Sequence, residues 1–196
     1  MVTKSAFDKV PLQAHLRTAW FIFTLVVVTI WTKVYFDESI HAKSCLVKEN
    51  EDGTFTQLNY MDKHLGASDS ITNVSSRFEY LSVSYLAQGV LSLIAVLYQL
   101  VAIYCNETLL MYRHYISRVN KLIQLYGAYI LVMTHIYRLD EPGKMCSGDY
   151  LTEAERHDPA VTSSYLIETG RLFYIYMVCI WIIAGAACVF GSVICY

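Results

Sequence analysis

The sequence predicts an all-α membrane protein: a bundle of four transmembrane helices, with both termini in the cytoplasm and a small β-hairpin in the first outer loop. Residues 80–105 contain no charge and no proline, and a helix of that length crosses a hydrocarbon core of roughly 30 Å. Charged residues make up 16% of the chain, against about 25% in soluble domains. Two acidic loops, 37–79 and 138–170, alternate with the apolar runs.

Four apolar runs define the predicted spans, which together form one domain over residues 1–196. The first run, about 18–36, is longer than the apolar part of a signal peptide and has no small-residue cleavage site after it, so it predicts a retained anchor. Trp20 and Trp31 near its ends are predicted at the headgroup boundary. The other spans are predicted at about 80–105, 119–138 and 171–195, of which the third is the shortest and most polar.

Turn signals predict local structure in both outer loops. In the first loop, two β-prone runs at 44–48 and 54–60 flank Asp52–Gly53, and Asp-Gly favours a hairpin because glycine accepts positive φ. In the second loop, Glu141–Gly143 reads Glu-Pro-Gly and predicts a turn.

The distribution of charge predicts the orientation of the spans. Residues 1–17 and 106–121 each contain three basic residues and one acidic residue. The first outer loop contains eight acidic and four basic residues, and residues 138–171 contain seven acidic and four basic. Because basic residues are retained on the cytoplasmic side, both acidic loops are predicted outside. The plasma membrane or a secretory-pathway membrane is the expected location, with the mitochondrial inner membrane as the alternative.

Two sites of covalent modification are predicted on the outer side. Cys45 and Cys146 lie one in each outer loop, and an oxidising compartment favours a disulfide between them. Two free thiols, or a bond to a partner, are the alternatives. Asn73 begins an Asn-Val-Ser glycosylation motif a few residues before the second span. A second motif at Asn106 lies on the cytoplasmic side in this orientation and is expected to be unmodified.

Small residues predict where the helices approach each other, because helices in a bilayer associate through close packing and polar contacts. Seven such positions recur at helical spacing in the second and last spans: Ser82, Gly89, Ser92, Ala184, Ala187, Cys188 and Gly191.

Four polar side chains lie within the spans and predict inward-facing positions. Gln88 and Gln99 are three helical turns apart and share a face, and Gln124 and His135 have the same spacing. The favoured interpretation is that each forms a hydrogen bond to a neighbouring helix. The alternative is a polar track for protons or ions, although no acidic residue lies in the middle of a span.

The sequence contains no recognisable catalytic or cofactor motif. It has no paired histidines for haem, no zinc-ligand spacing, no nucleophile motif and no phosphate-binding glycine loop. We therefore expect no enzyme, cofactor or metal, and without a basic stripe we expect no nucleic-acid partner. The expected partners are the lipid bilayer and other membrane protein subunits or copies of the same chain.

The layout resembles that of the claudins and the related calcium-channel gamma subunits, which have four spans, a larger first outer loop with strands and a short inner loop. The claudin first loop carries a Gly-Leu-Trp motif followed by two cysteines. The first loop here contains only Cys45 and no tryptophan, and the Cys-Cys-Gly of tetraspanins is also absent. The resemblance is therefore one of layout.

Three functions fit these observations. The leading hypothesis is a non-enzymatic four-pass protein that acts as an accessory or structural subunit of a larger membrane assembly. The second is a small oligomeric ion channel or transporter. The third is a supernumerary subunit of an organelle membrane complex, such as a respiratory complex.

Overall fold

The computed structural model describes residues 12–36, 45–58, 71–105 and 113–194. Its fold is mostly helical with a small sheet. In chain order the elements are α1 (Leu12–Phe36), β1 (Leu46–Glu49), β2 (Phe55–Leu58), β3 (Ile71–Asn73), α2 (Val74–Cys105), α3 (Arg113–Leu139), α4 (Glu141–Cys146), α5 (Glu153–Arg156), α6 (Pro159–Thr162) and α7 (Ile167–Ile194).

Within the described residues, two helical segments are long and apolar enough to cross a membrane, Arg17–Phe36 in α1 and Val74–Val101 in α2. The other two predicted spans also fall within long helices, α3 and α7. Helix α3 is more polar because basic residues flank its uncharged stretch, residues 122–137. The side chains of α7 beyond residue 185 lie outside the described part.

The chain divides into two compact units. The first unit comprises Met1–Tyr35 and Ser82–Tyr129, and helices pack closely within it. Trp31 of α1, predicted at the headgroup boundary, is buried and stacks on Tyr85 of α2 with ring centroids 4.6 Å apart. Aromatic stacking of this kind adds to the stabilisation from apolar burial.

Two glycines allow the helices of the first unit to approach each other. A Cβ atom added at Gly89 of α2 would lie 2.8 Å from Cγ2 of Val28 on α1. A Cβ atom added at Gly127 of α3 would overlap the side-chain amide of Gln88 on α2. Small residues at such positions let helix backbones come together, which is how helices associate in lipid.

The second unit, Phe36–Leu81 and Ile130–Tyr196, contains an antiparallel sheet in the order β2-β1-β3. The predicted hairpin is confirmed: Gly53 has a φ of 78° and the amide of Asn50 donates to the carbonyl of Thr54 at 2.8 Å. Strand β3 was not predicted. It has three residues, too few to give a pattern.

The predicted turn at Glu141–Gly143 is wrong, since these residues begin α4. Asp140 caps this helix, because its Oδ1 accepts a hydrogen bond from the amide of Gly143 at 2.8 Å. Pro142 is tolerated there because the first turn of a helix needs no internal N–H donor. Helix α5 begins with a capping box between Thr152 and Glu155.

Candidate functional site

A buried disulfide forms the centre of the second unit. The sulfur atoms of Cys45 and Cys146 lie at bonding distance, in the pairing that the sequence predicts, and both residues are fully buried. The backbone of Cys45 contacts the first turn of α2: its amide donates to Oγ of Ser75 at 2.7 Å, and its carbonyl accepts from the amide of Val74 at 3.1 Å. The carbonyl of Cys146 accepts from the amide of Leu166 at 2.8 Å, just before α7. The bridge therefore joins the beginnings of α2 and α7 to the end of α4.

Two ion pairs near the disulfide join different elements of the described chain, and the first of them joins α2 to the beginning of α4. Arg77 donates from Nη1 to Oδ2 of Asp140 at 2.8 Å, while the other oxygen of the same carboxylate caps α4. The guanidinium also lies 5.1 Å from the ring centroid of Tyr137. Both side chains are about one third exposed, so water weakens this pair.

The second ion pair is centred on Arg138, which is only 4% exposed. Its two terminal nitrogens each donate at 2.8 Å to one oxygen of Asp149, and its Nε donates at 2.8 Å to the carbonyl of Gly170 in α7. The guanidinium also lies 5.6 Å from the ring centroid of Tyr174. A planar fork bonded on both sides fixes orientation as well as distance, so Arg138 aligns α3, α7 and the segment after α4.

That segment, Ser147–Tyr150, is tightly packed. Gly148 has a φ of 71°, a conformation that glycine adopts without steric cost. A Cβ atom added at Gly170 would overlap the side chain of Ser147 and lie 3.1 Å from its Cα. Oγ of Ser147 is buried, and it makes no hydrogen bond within the described part of the chain. The backbones of Ser147 and Gly170 are therefore in close contact at a position where the Ser147 hydroxyl group is buried without a hydrogen bond to the described residues.

Exposed hydrogen bonds perturb pKa values at the edge of the second unit. A hydrogen bond from Tyr150 lowers the pKa of Glu141, and the same bond raises the pKa of Tyr150. Hydrogen bonds from the backbone and hydroxyl of Thr152 lower the pKa of Glu155. These shifts arise from hydrogen bonds that hold local structure, at the beginning of α4 and in the cap of α5.

His135 joins α3 to α7 within the second unit. Its Nδ1 lies 2.7 Å from the carbonyl of Leu131, and its Nε2 lies 2.7 Å from Nε1 of Trp181. An indole N–H only donates and a carbonyl only accepts. Nε2 therefore accepts and Nδ1 donates, which assigns the neutral Nδ1–H tautomer and commits both ring nitrogens to structural contacts.

The predicted packing and polar residues occupy different environments. Ser82 and Gly89 are buried, whereas Ser92, Gln88 and Gln99 are half-buried. The side chains predicted to pack in the last span lie outside the described residues: Ala184, Ala187, Cys188 and Gly191.

Gln124 does not face inward as expected, because its side chain is exposed. It directly follows buried Ile123, and consecutive helical residues point about 100° apart at 3.6 residues per turn. The fourth polar position, His135, is half-buried, so the equal spacing of this pair does not give equal burial.

Asn73 is exposed at the end of β3, and it caps α2 through a 3.1 Å hydrogen bond from the amide of Ser76 to its Oδ1. Glycosylation of its amide nitrogen stays a prediction. The acceptor residue is thus also a helix cap, a role that the motif alone did not indicate.

The four charged residues of the ion pairs were not singled out from the sequence: Arg77, Asp140, Arg138 and Asp149. For Arg77, Arg138 and Asp140 the position beside a predicted span end was the available signal, since a charge there needs either water or a partner, whereas Asp149 lies in the middle of the second acidic loop. Among the described residues, no group of three His, Cys, Asp or Glu side chains could hold a metal ion. The arrangement clamps helices together through a disulfide and two ion pairs.

No protein family model, curated protein or solved structure matches this chain. Its function has to be argued from its own residues.

Proposed function

We propose that this chain is a four-pass membrane protein that acts, without catalysis, as an accessory or structural subunit of a larger membrane assembly. In the proposed topology both termini are cytoplasmic, and residues 37–79 and 138–170 lie outside. The proposal rests mainly on one observation, the pattern of burial along the four long helices.

That pattern differs from the one in water-soluble proteins in how much apolar surface the helices expose, although most of their buried side chains are apolar as well. Every long helix exposes large apolar side chains, among them Phe23, Leu91, Leu125 and Ile182. The buried positions of the same helices include the polar side chains of Thr24, Ser82, Ser84, Thr134 and Arg138. Such extensive apolar exposure marks a membrane or protein interface. A lipid bilayer can cover the exposed apolar side chains of all four helices at once. The pattern supports α3 and α7 as spans alongside the two candidate helices.

The contacts of the polar groups support a structural role. Arg77 and Arg138 bind carboxylates, His135 has both nitrogens engaged, and Gln88 lies against Gly127. A transport track would need polar groups that are free to exchange ions or protons. These groups hold helices together instead, which favours the subunit hypothesis over the channel hypothesis.

The folded outer residues give a subunit a defined surface to present. In the described outer residues, 45–58, 71–79 and 138–170, a three-stranded sheet, three short helices and a disulfide form a folded surface. A pre-ordered surface loses less entropy when it binds a partner.

The test is to extract the native protein in mild detergent and determine the mass and composition of what is isolated. We expect a stoichiometric complex with a different membrane protein, whose identity would give the function. A monomer with activity of its own would refute the proposal.

A homo-oligomer with nothing attached would instead favour the channel hypothesis. Gln99→Leu and His135→Leu should then abolish ion flux in reconstituted vesicles without reducing expression. Unchanged flux in both variants would exclude a polar track through these residues.

A further inference from the structure

Asn73 begins the predicted glycan-acceptor motif, and all three residues of this motif make structural contacts in the fold. The amide oxygen of Asn73 caps α2, Val74 is fully buried, and Oγ of Ser75 accepts a 2.7 Å hydrogen bond from the amide of Cys45. All three residues of the motif therefore have structural roles, and the third is tied directly to a disulfide cysteine.

Glycosylation requires the residues of this motif to be accessible to a transferase, with the Ser75 hydroxyl available. The modification motif requires the hydroxyl of its third residue, and the acceptor chain has to enter a transferase. In the folded protein that hydroxyl is hydrogen-bonded to the amide of Cys45 and the motif forms the first turn of a helix. The folded motif is consequently a poor acceptor.

Distance from the membrane acts in the same direction. Arg77 and Glu79 are charged, so the hydrocarbon core begins close to Tyr80, seven residues after Asn73. In a helix those seven residues rise only about 10 Å. Extended, the same segment reaches about 23 Å, so Asn73 is more accessible to a lumenal enzyme before α2 forms its first turns.

We infer that Asn73 is a conditional glycosylation site, open before the Cys45–Cys146 disulfide closes and closed afterwards. The inference rests on the proposed topology, in which residues 37–79 are lumenal. Occupancy at Asn73 then reports which event comes first, glycan transfer or disulfide formation.

Both competing reactions are ordinary chemistry of the secretory pathway. In the transfer, Nδ2 of Asn73 bonds to the anomeric carbon of an oligosaccharide carried on a polyprenyl diphosphate. The polyprenyl diphosphate leaves with the electron pair of the broken C–O bond, and Nδ2 gives up a proton. In the second reaction, the Cys45 and Cys146 thiols pass two electrons and two protons to a protein disulfide, which becomes a dithiol.

The experiment uses the full chain, synthesised in the presence of eukaryotic microsomes and treated with or without a glycan-removing enzyme. We expect the fraction carrying a glycan at Asn73 to rise at least twofold in Cys146→Ser, and likewise in wild type made with a thiol reductant. Cys146→Ser leaves the amide of Cys45 and the acceptor motif unchanged. Because reductant delays closure without any substitution, a misfolded variant cannot by itself account for the result.

Two variants identify the modified atom and a third tests topology. Asn73→Gln and Ser75→Ala should each abolish the mobility shift under every condition. Asp52→Thr completes an acceptor motif at Asn50, which is half-buried beside the exposed turn residues 51–54 and bonds through Nδ2 to Thr54. The substitution also removes the carboxylate that binds Thr54 and so loosens the turn, and it should add a glycan whatever the state of the disulfide.

The possible outcomes distinguish a failure of the proposed orientation from a failure of the inference about Asn73. Without a glycan at Asn50, the proposed orientation fails and the inference fails with it. With Asn50 modified, equal occupancy of Asn73 in the open and closed states, or no occupancy in either, overturns the inference alone.

Discussion

The two units of this chain hold their helices together by different means. The first unit relies on shape: a stacked aromatic pair and glycines that admit a neighbouring helix. The second unit also packs an aromatic pair, Phe78 against Phe173, and a close glycine, and it adds covalent and charged contacts: a disulfide, two Arg–Asp pairs and a histidine–indole hydrogen bond. Each Arg–Asp pair lies beside an end of a long helix, where charged groups can be solvated or paired.

This difference suggests how each unit responds to substitution. A substitution among packed apolar groups should cause a moderate loss of stability, because neighbouring side chains can shift to relieve part of the change. A network centred on a buried charge fails more abruptly, because removing one member leaves the others unpaired. Stability measurements on matched variants of the two units test this contrast.

The largest effect is expected from removing the disulfide. Cys146→Ala removes a bridge between residues 101 apart in the sequence, and a bridge that closes a loop of that size contributes about 5 kcal/mol in the chain-entropy model. Thermal unfolding of the purified protein in detergent should show the loss. Reductant should lower the melting temperature of wild type but not that of the variant.

The matched control is Cys179→Ala, which removes an exposed free cysteine of α7. Its melting temperature should stay close to that of wild type. A similar loss in both cysteine variants would mean that the bridge is not specifically responsible.

Arg138→Ala should have the next largest effect, a loss of about 2–4 kcal/mol. The substitution removes three hydrogen bonds and leaves Asp149 unpaired beside a buried cavity. Arg77→Ala is the comparison: its pair is about one third exposed on both sides, and such pairs contribute about 1 kcal/mol or less. Equal losses in the two arginine variants would contradict the view that burial determines the contribution.

Glycine substitutions compare the two units directly. Gly170→Ala should cost about 2–3 kcal/mol, because the new methyl group meets the backbone of Ser147, which the neighbouring disulfide holds in place. Gly89→Ala should cost about 1 kcal/mol, because it meets a side-chain methyl group of Val28 that can shift.

The control for both is Gly185→Ala, where an added Cβ atom has no neighbour within 4 Å. Alanine is also the better helix former by about 1 kcal/mol, so this variant should be neutral or slightly more stable. If Gly89→Ala cost more than Gly170→Ala, the first unit would be the more rigid of the two.

The parts of the fold with local signals were predictable. Long uncharged runs predicted the helices, Asp52–Gly53 predicted the hairpin, and one cysteine in each of the two acidic loops predicted the bridge. The ion pairs were not predictable, because any base of a charged loop can pair with any acid: Arg77 and Asp140 are 63 residues apart, and Arg138 and Asp149 are 11 apart. Only folding determines which of them meet.

The same limit explains the two errors. The Glu141–Gly143 turn signal was outweighed by the cap that Asp140 supplies to α4. Gln124 was expected to face inward because it shares a spacing with His135, yet the direction of a helical side chain depends on which neighbours pack against that helix. Spacing predicts which residues share a face, and packing determines which face is buried.

The smallest effect concerns the exposed bond between Tyr150 and Glu141, and it depends on pH. The bond raises the pKa of Tyr150 from its ordinary value of 10.0 and lowers that of Glu141 from 4.5. A raised native pKa stabilises the fold below the ordinary value, and this is lost as pH rises through the native pKa. A lowered native pKa stabilises it above the ordinary value, and this is lost as pH falls. The bond should therefore stabilise the fold across the whole neutral pH range.

Glu141→Gln should lower the phenol pKa of Tyr150 in a tyrosine NMR titration. It should leave the pKa of Tyr165 unchanged, because burial is the main cause of the raised pKa of that residue. A parallel change in both tyrosines would mean that the substitution disturbs the whole second unit, and an unchanged Tyr150 would mean that Glu141 does not bind it.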